Sequence, residues 1–156
     1  MNYNTKSKSG FTIIEVVLVL AIAGLIFLIV FLAVPALQRS QRDTQRKNDL
    51  SRFMTSVSNY QSNNRGAVPD TQTLVDAMVT NYIRVNGDTF ADPGGANYTS
   101  TLSTVAATGA TAVPANTIYY YTNATCSGEN AVAGTGTRKV AARIDLEGGG
   151  SYCQSN

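Results

Sequence analysis

Three groups of residues in this chain could do chemistry. The first is Gly10-Phe11, a peptide bond directly ahead of a long apolar run. Glycine has no Cβ, so a peptidase can approach the backbone closely there. The second is Glu15, a carboxylate just inside the start of that run and four residues after Phe11. From Val16 to Leu37 no charged side chain follows, a stretch of about 22 residues against the roughly 20 that a membrane-spanning helix needs. An ionisable side chain inside such a span is expensive and rarely lacks a partner. Glu15 therefore calls for an opposite charge. The plainer alternative is an interfacial residue that reaches headgroup water. The third group is Cys126 and Cys153, the only two cysteines. A disulfide formed outside the cytoplasm is the favoured reading. It would close a loop of about 28 residues and contribute roughly 3–4 kcal/mol in the chain-entropy picture. The alternative is two reduced thiols, one or both buried.

Composition excludes much else. The chain has 156 residues, enough for one compact domain plus an anchor. Its formal net charge of +2 is too small to imply nucleic acid by itself. There is no histidine, so Ser-His and Cys-His nucleophile pairs and His-ligated zinc are excluded. No C-x-x-C occurs, which argues against a metal or redox site. No paired carboxylates and no phosphate-loop motif are present. The expectation is a chain with no catalytic residue, no cofactor and no metal. Asp88, Asp92 and Glu129 could offer oxygens to Ca²⁺, but their spacing matches no calcium loop. Asn97-Tyr98-Thr99 and Asn123-Ala124-Thr125 fit the N-glycosylation triplet, a pattern that often arises by chance.

The elements that must position these residues follow from hydrophobic periodicity. Met1 to Gly10 is polar, with Lys6 and Lys8 its only charges. An ordinary secretory signal has a shorter apolar region with its cleavage site behind it. Here the run is longer, and the one candidate behind it is Val34-Pro35-Ala36. The site ahead of the run, at Gly10, fits better. Within the run, Gly24 suits close helix packing and Pro35 a kink; both residues are tolerated in membrane helices. Beyond Pro35 the helix continues with a different polarity. Leu50, Phe53, Met54 and Val57 recur at i, i+3, i+4 and i+7. Arg39, Arg42, Arg46, Lys47 and Arg52 read as a solvated basic face, with Asp43 able to pair with Arg39, Arg46 or Lys47. Asn63-Asn64-Arg65-Gly66 ends the helix. From Phe11 to about Asn63 it would span roughly 80 Å at 1.5 Å per residue. In the remainder, Leu74, Val75, Met78, Val79 and Tyr82 predict a short helix capped by Asp70 or Thr71. The Gly-, Ala-, Ser- and Thr-rich stretch to about Asn116 reads as a surface loop, at most a marginal hairpin. Ile118-Tyr119-Tyr120-Tyr121 is β-prone. Val140, Ala142, Ile144 and Leu146 alternate with Ala141, Arg143, Asp145 and Glu147 as a half-buried strand. Gly148-Gly149-Gly150 then gives a flexible return towards Cys153. The predicted class is α+β, a long helix packed on a small antiparallel sheet.

Ser9-Gly10-Phe11-Thr12-Ile13-Ile14-Glu15, followed by Val16 to Gly24, resembles the N-terminal signature of type IV pilins and pseudopilins. The resemblance implies a pilin-like fold and a leader, residues 1–10, that a prepilin peptidase removes by cutting between Gly10 and Phe11. It implies N-methylation of Phe11 and a role in assembly for Glu15, which would neutralise the α-amine of a neighbouring subunit. An α-amine has an ordinary pKa of about 7.7–8.0, so it is largely cationic at neutral pH. Gly24 falls on the family position and Pro35 about three residues late. The helix between them would loosen in a filament, or the kink is merely shifted. Residues 11–37 would be the transmembrane and filament-core half of the helix, 38–63 its amphipathic half, and 64–156 the head. Cys126 and Cys153 would close a C-terminal loop on the filament surface. Gly66-Ala67-Val68-Pro69 and Asp92-Pro93-Gly94-Gly95-Ala96-Asn97-Tyr98 are similar to loops of that family's head. The implied partners are other copies in a helical filament, the peptidase, the assembly machinery of the inner membrane, the membrane itself for the precursor, and a surface or DNA ligand. The precursor would sit in the cytoplasmic membrane with its head outside, and the assembled pilus would be extracellular. Arg39, Arg42, Arg46 and Lys47 outnumber Lys6 and Lys8, which by the positive-inside rule would put the head inside. The cysteine pair and the resemblance put it outside and are preferred. A pilus subunit for adhesion, motility or DNA uptake is the leading reading. A type II secretion pseudopilin or minor pilin is the runner-up, and a membrane-anchored enzyme or receptor head belongs to a different class.

Overall fold

The computed structural model describes residues 10–103 and 116–156. A single helix, α1, runs from Ile13 to Asn63 through Pro35. Two left-handed residues, Arg65 at φ 57° and Gly66 at φ 85°, turn the chain out of it. The Gly66 amide returns to the Gln61 carbonyl at 2.7 Å, which satisfies an end carbonyl. The chain divides into two compact units, residues up to Gln38 and Arg39–Asn156. The described part of the first is Gly10-Phe11-Thr12 and the apolar segment of α1. It exposes almost every large side chain it carries, Phe11 at 90 % and Phe31 at 75 % among them.

In the second unit the stripe Leu50, Phe53, Met54 and Val57 is buried. It joins one core with Val75 and Met78 of a short helix, α2 (Gln72–Met78), and Val79 and Ile83 of a π-helical turn, Val79–Ile83. Thr71, not Asp70, caps α2, its hydroxyl accepting from the Leu74 amide at 3.4 Å. The last turn expected of this helix is therefore wound differently from its start.

The strands are β1 (Thr99–Ser103), β2 (Thr117–Thr122), β3 (Ala124–Ser127), β4 (Asn130–Ala133), β5 (Val140–Asp145) and β6 (Ser151–Ser155). One sheet has the order β1-β2-β5-β6, and β3 and β4 form a separate hairpin. The fold is α+β, but the larger sheet is mixed rather than wholly antiparallel, because β1 runs parallel to β2. Parallel neighbours need a long connection; residues 104–115 of it lie outside the described residues, as does most of the predicted loop. The start of that loop is β1.

β5 departs from a half-buried strand. Val140, Ala142 and Ile144 face the α1 core, where Phe53 and Tyr120 meet edge to face at 5.9 Å. Ala141 and Arg143, on the other face, are buried too. A second small cluster covers that side, with Ala124 of β3 against Tyr121 and Ala141, and Cys126, Ala131 and Cys153 packed on it. Cys126 and Cys153 are disulfide-bonded with Cα atoms 5.8 Å apart, which ties the hairpin to β6. Leu146 and Glu147 lie beyond the strand. The glycine triplet is a bonded turn rather than a free return, with the Leu146 amide on the Gly150 carbonyl at 3.0 Å.

Candidate functional site

The residues singled out for processing and assembly lie in the first unit. Gly10, Phe11 and Thr12 precede the helix in non-helical backbone. Thr12-Ile13-Ile14-Glu15 closes a capping box. The Glu15 carboxylate accepts from the Thr12 amide at 2.8 Å and from the Thr12 hydroxyl at 2.8 Å. The Glu15 amide in turn donates to the Thr12 hydroxyl at 3.4 Å. Two end amides are thereby satisfied reciprocally, and an acid sits where the helix dipole favours it. Thr12 was not among the residues predicted to matter. The signal for it, Thr-x-x-Glu ahead of an apolar run, was present in the sequence.

A Cβ added at Gly10 or at Gly24 would meet nothing within 4 Å. The chain's own packing therefore demands glycine at neither position. α1 is long and apolar enough to cross a membrane, and none of that apolar window is buried. A continuous apolar surface of this kind marks a membrane or a partner.

The head is held by ion pairs that periodicity did not reveal. Arg46 is buried and grips Asp92 with two bonds, Nε to Oδ2 at 2.6 Å and Nη2 to Oδ1 at 3.1 Å. Burial pushes the Asp92 carboxyl up, but the Arg46 guanidinium and the Gly94 amide outweigh it and hold the acid below its ordinary range. The hydrogen bond to Asp92 raises the Arg46 pKa against burial. Asp43 lies 3.6 Å from Arg46 and accepts the Glu147 and Gly148 amides at 2.7 and 2.9 Å. A Cβ on Gly148 would stand 2.8 Å from that carboxylate, so a larger residue there would push it from its present place against the turn. Burial raises the pKa of Asp49, although the Tyr98 hydroxyl donates to it at 3.1 Å. Tyr98 is itself pushed well up, first by burial and then by the Asp49 charge. Arg52 pairs with Asp88, whose pKa is lowered first by the Phe90 amide and then by that pair. The basic stretch of α1 is thus in good part engaged with the head rather than being a solvated face.

The three acids considered for calcium are not brought together. Asp92 belongs to Arg46, Asp88 to Arg52, and Glu129 accepts the Ser151 amide at 3.2 Å. Among the described residues, no group of three or more such side chains could hold a metal ion. Both triplet asparagines, Asn97 and Asn123, are exposed.

Against known proteins, residues 5–31 match the prokaryotic N-terminal methylation motif. No curated protein and no solved structure matches the chain. With that motif at the head of an exposed apolar helix and a small α+β domain after it, the chain is similar to type IV prepilins in its N-terminal segment.

Proposed function

We propose that this chain is a structural subunit of a type IV pilus. A prepilin peptidase cuts it between Gly10 and Phe11, Phe11 is N-methylated, and the mature chain polymerises through its N-terminal helix. The observation that carries the reading is the methylation motif at residues 5–31 placed on an apolar helix that buries none of its own apolar window. A side chain such as Phe31 left 75 % exposed needs lipid before assembly and neighbouring helices after it. Glu15 supports the same reading. Among the described residues its partner is Thr12, which leaves the carboxylate lone pairs for the α-amine of another copy. Proteins with this motif act as structural subunits rather than enzymes, and the absence of histidine fits that role.

The test is the intact mass and N-terminal sequence of non-reduced protein sheared from cells. A start at N-methyl-Phe11 is the expected result. A start at Met1 would leave a plain membrane anchor, and a start near Leu37 an ordinary secreted domain. Either would overturn the proposal.

A further inference from the structure

Asn86 is the only asparagine in the sequence that glycine follows. It lies just after the π-helical turn, in the loop that brings Asp88 to Arg52 of α1. Asn86 at φ 56° and Gly87 at φ 84° are both left-handed, the pattern of a type I′ turn. The Asp88 amide closes that turn on the Val85 carbonyl at 3.2 Å, the long end of the hydrogen-bond range. Every residue from Arg84 to Thr89 is exposed. A turn closed by one long bond in water opens at little cost.

Two other exposed asparagines show what is particular about this one. Asn97 precedes Tyr98, whose amide is bonded to the Phe90 carbonyl at 3.1 Å. Asn123 precedes Ala124, whose amide is bonded to the Lys139 carbonyl at 3.3 Å. Tyr98 and Ala124 are both buried and both carry a Cβ beside that nitrogen. At Asn86 none of this holds. Among the described residues neither its side chain nor the Gly87 amide has a hydrogen-bond partner. A Cβ added at Gly87 would meet nothing within 4 Å, and glycine itself has none to crowd its nitrogen.

We propose that Asn86 is a self-modification site, which deamidates through a succinimide to aspartate and isoaspartate and so loosens the 84–90 loop from α1. With the turn open, the Gly87 main-chain nitrogen attacks the Asn86 side-chain carbonyl carbon. A C–N bond forms and closes the imide ring. The bond to the side-chain nitrogen breaks, and that nitrogen leaves as ammonia, taking the proton of the Gly87 amide. Water then adds to one of the two imide carbonyls. Opening at the side-chain carbonyl gives aspartate. Opening at the main-chain carbonyl gives isoaspartate, whose main chain runs through Cβ and Cγ. One water is consumed and one ammonia released, with no change of oxidation state. Both products replace a neutral amide with a carboxylate. Isoaspartate also adds a main-chain atom inside the turn, so the Asp88 amide can no longer close on Val85. That turn positions Asp88, which accepts the Phe90 amide at 2.9 Å and pairs with Arg52.

The test incubates the full chain in neutral detergent at mildly alkaline pH and follows each asparagine by peptide-mapping mass spectrometry that separates isoaspartate from aspartate. Asn86 should gain the mass of exchanging NH for O at least about tenfold faster than Asn97 or Asn123, with isoaspartate among the products. Gly87→Ala should slow that gain by about tenfold or more, since a Cβ crowds the attacking nitrogen. Asn86→Gly, which keeps a residue at ease with positive φ, should abolish it at this site. The isoaspartate form, isolated by ion exchange, should exchange the Asp88 and Phe90 amides about tenfold faster than the parent. Asn86→Asp adds the charge without the extra atom and should exchange like the parent. An Asn86 that stays intact while Asn97 or Asn123 is converted would overturn the proposal. So would aspartate formed without isoaspartate, which means direct hydrolysis, or an isoaspartate form that exchanges like the parent.

Discussion

Glu15 and Asp92 are both carboxylates, and each is answered in a different way. Glu15 is answered by its own neighbour, Thr12, three residues away. Asp92 is answered by Arg46 from 46 residues away, inside a head that excludes water from both. The two units differ in the same sense throughout. Among the described residues, the apolar segment ahead of Arg39 has only local bonds and turns its large side chains outward. The head turns them inward and closes its polar groups on one another across the chain. Exposed apolar surface that a soluble domain would not tolerate becomes intelligible once its solvent is lipid or other helices. The contrast teaches that one 51-residue helix is built for two environments.

The largest expected effect tests the first half of that comparison. Glu15→Ala should leave the protein made and cleaved while filament yield in the sheared fraction falls by at least about tenfold, since a missing charge partner is felt mainly where helices pack. Normal yield would mean that Glu15 serves the cap alone. In the head, Arg46→Ala should cost about 3–5 kcal/mol, because it strands a buried Asp92 charge. Urea unfolding of the full chain in detergent measures it, and a loss under about 1 kcal/mol would mean that water reaches Asp92. Cys153→Ser should cost about 2–4 kcal/mol and expose the β3–β4 hairpin to protease first, since the hairpin is a separate sheet tied to β6 by that bond. Thr12→Val removes the cap hydroxyl and should cost about 1 kcal/mol, read as faster amide exchange confined to the first turn of α1. The smallest effect is in pH. The Asp92 carboxyl is held below its ordinary value of 3.8, so the stability it contributes is present above that value and lost as pH falls through the lower folded one. Unfolding midpoints of Asp92→Asn should therefore fall less steeply than the parent's below about pH 4. An equal slope would place the acid sensitivity elsewhere.

Much of the helical half was legible because its signals are local. The stripe Leu50, Phe53, Met54 and Val57 repeats at the helical period, and all four are buried. The end at Asn63 was marked by the residues that follow it. β2 and β5 could be read from their composition. β1, β3, β4 and β6 were not read, because they are short, polar or small in side chain and pair only with distant partners. The alternation along β5 misled for a related reason. Ala141 and Arg143 look outward by period, yet both are buried, Ala141 against Ala124 of the hairpin. Leu146 continued the pattern one residue past the point where the glycine turn ends the strand.

The sequence by itself determined the long apolar helix, the glycine ahead of it, the acid within it and the cysteine pair available for a crosslink. The first three are matters of residue type at short spacing, and the last is a matter of count, two cysteines and no third. Only the tertiary structure decided that Arg46 belongs to Asp92, that Arg52 belongs to Asp88, and that the hairpin packs on the outer face of β5 at Ala141. The two ion pairs join residues 46 and 36 positions apart. All three are set by which surfaces the core brings together, and no local period encodes that.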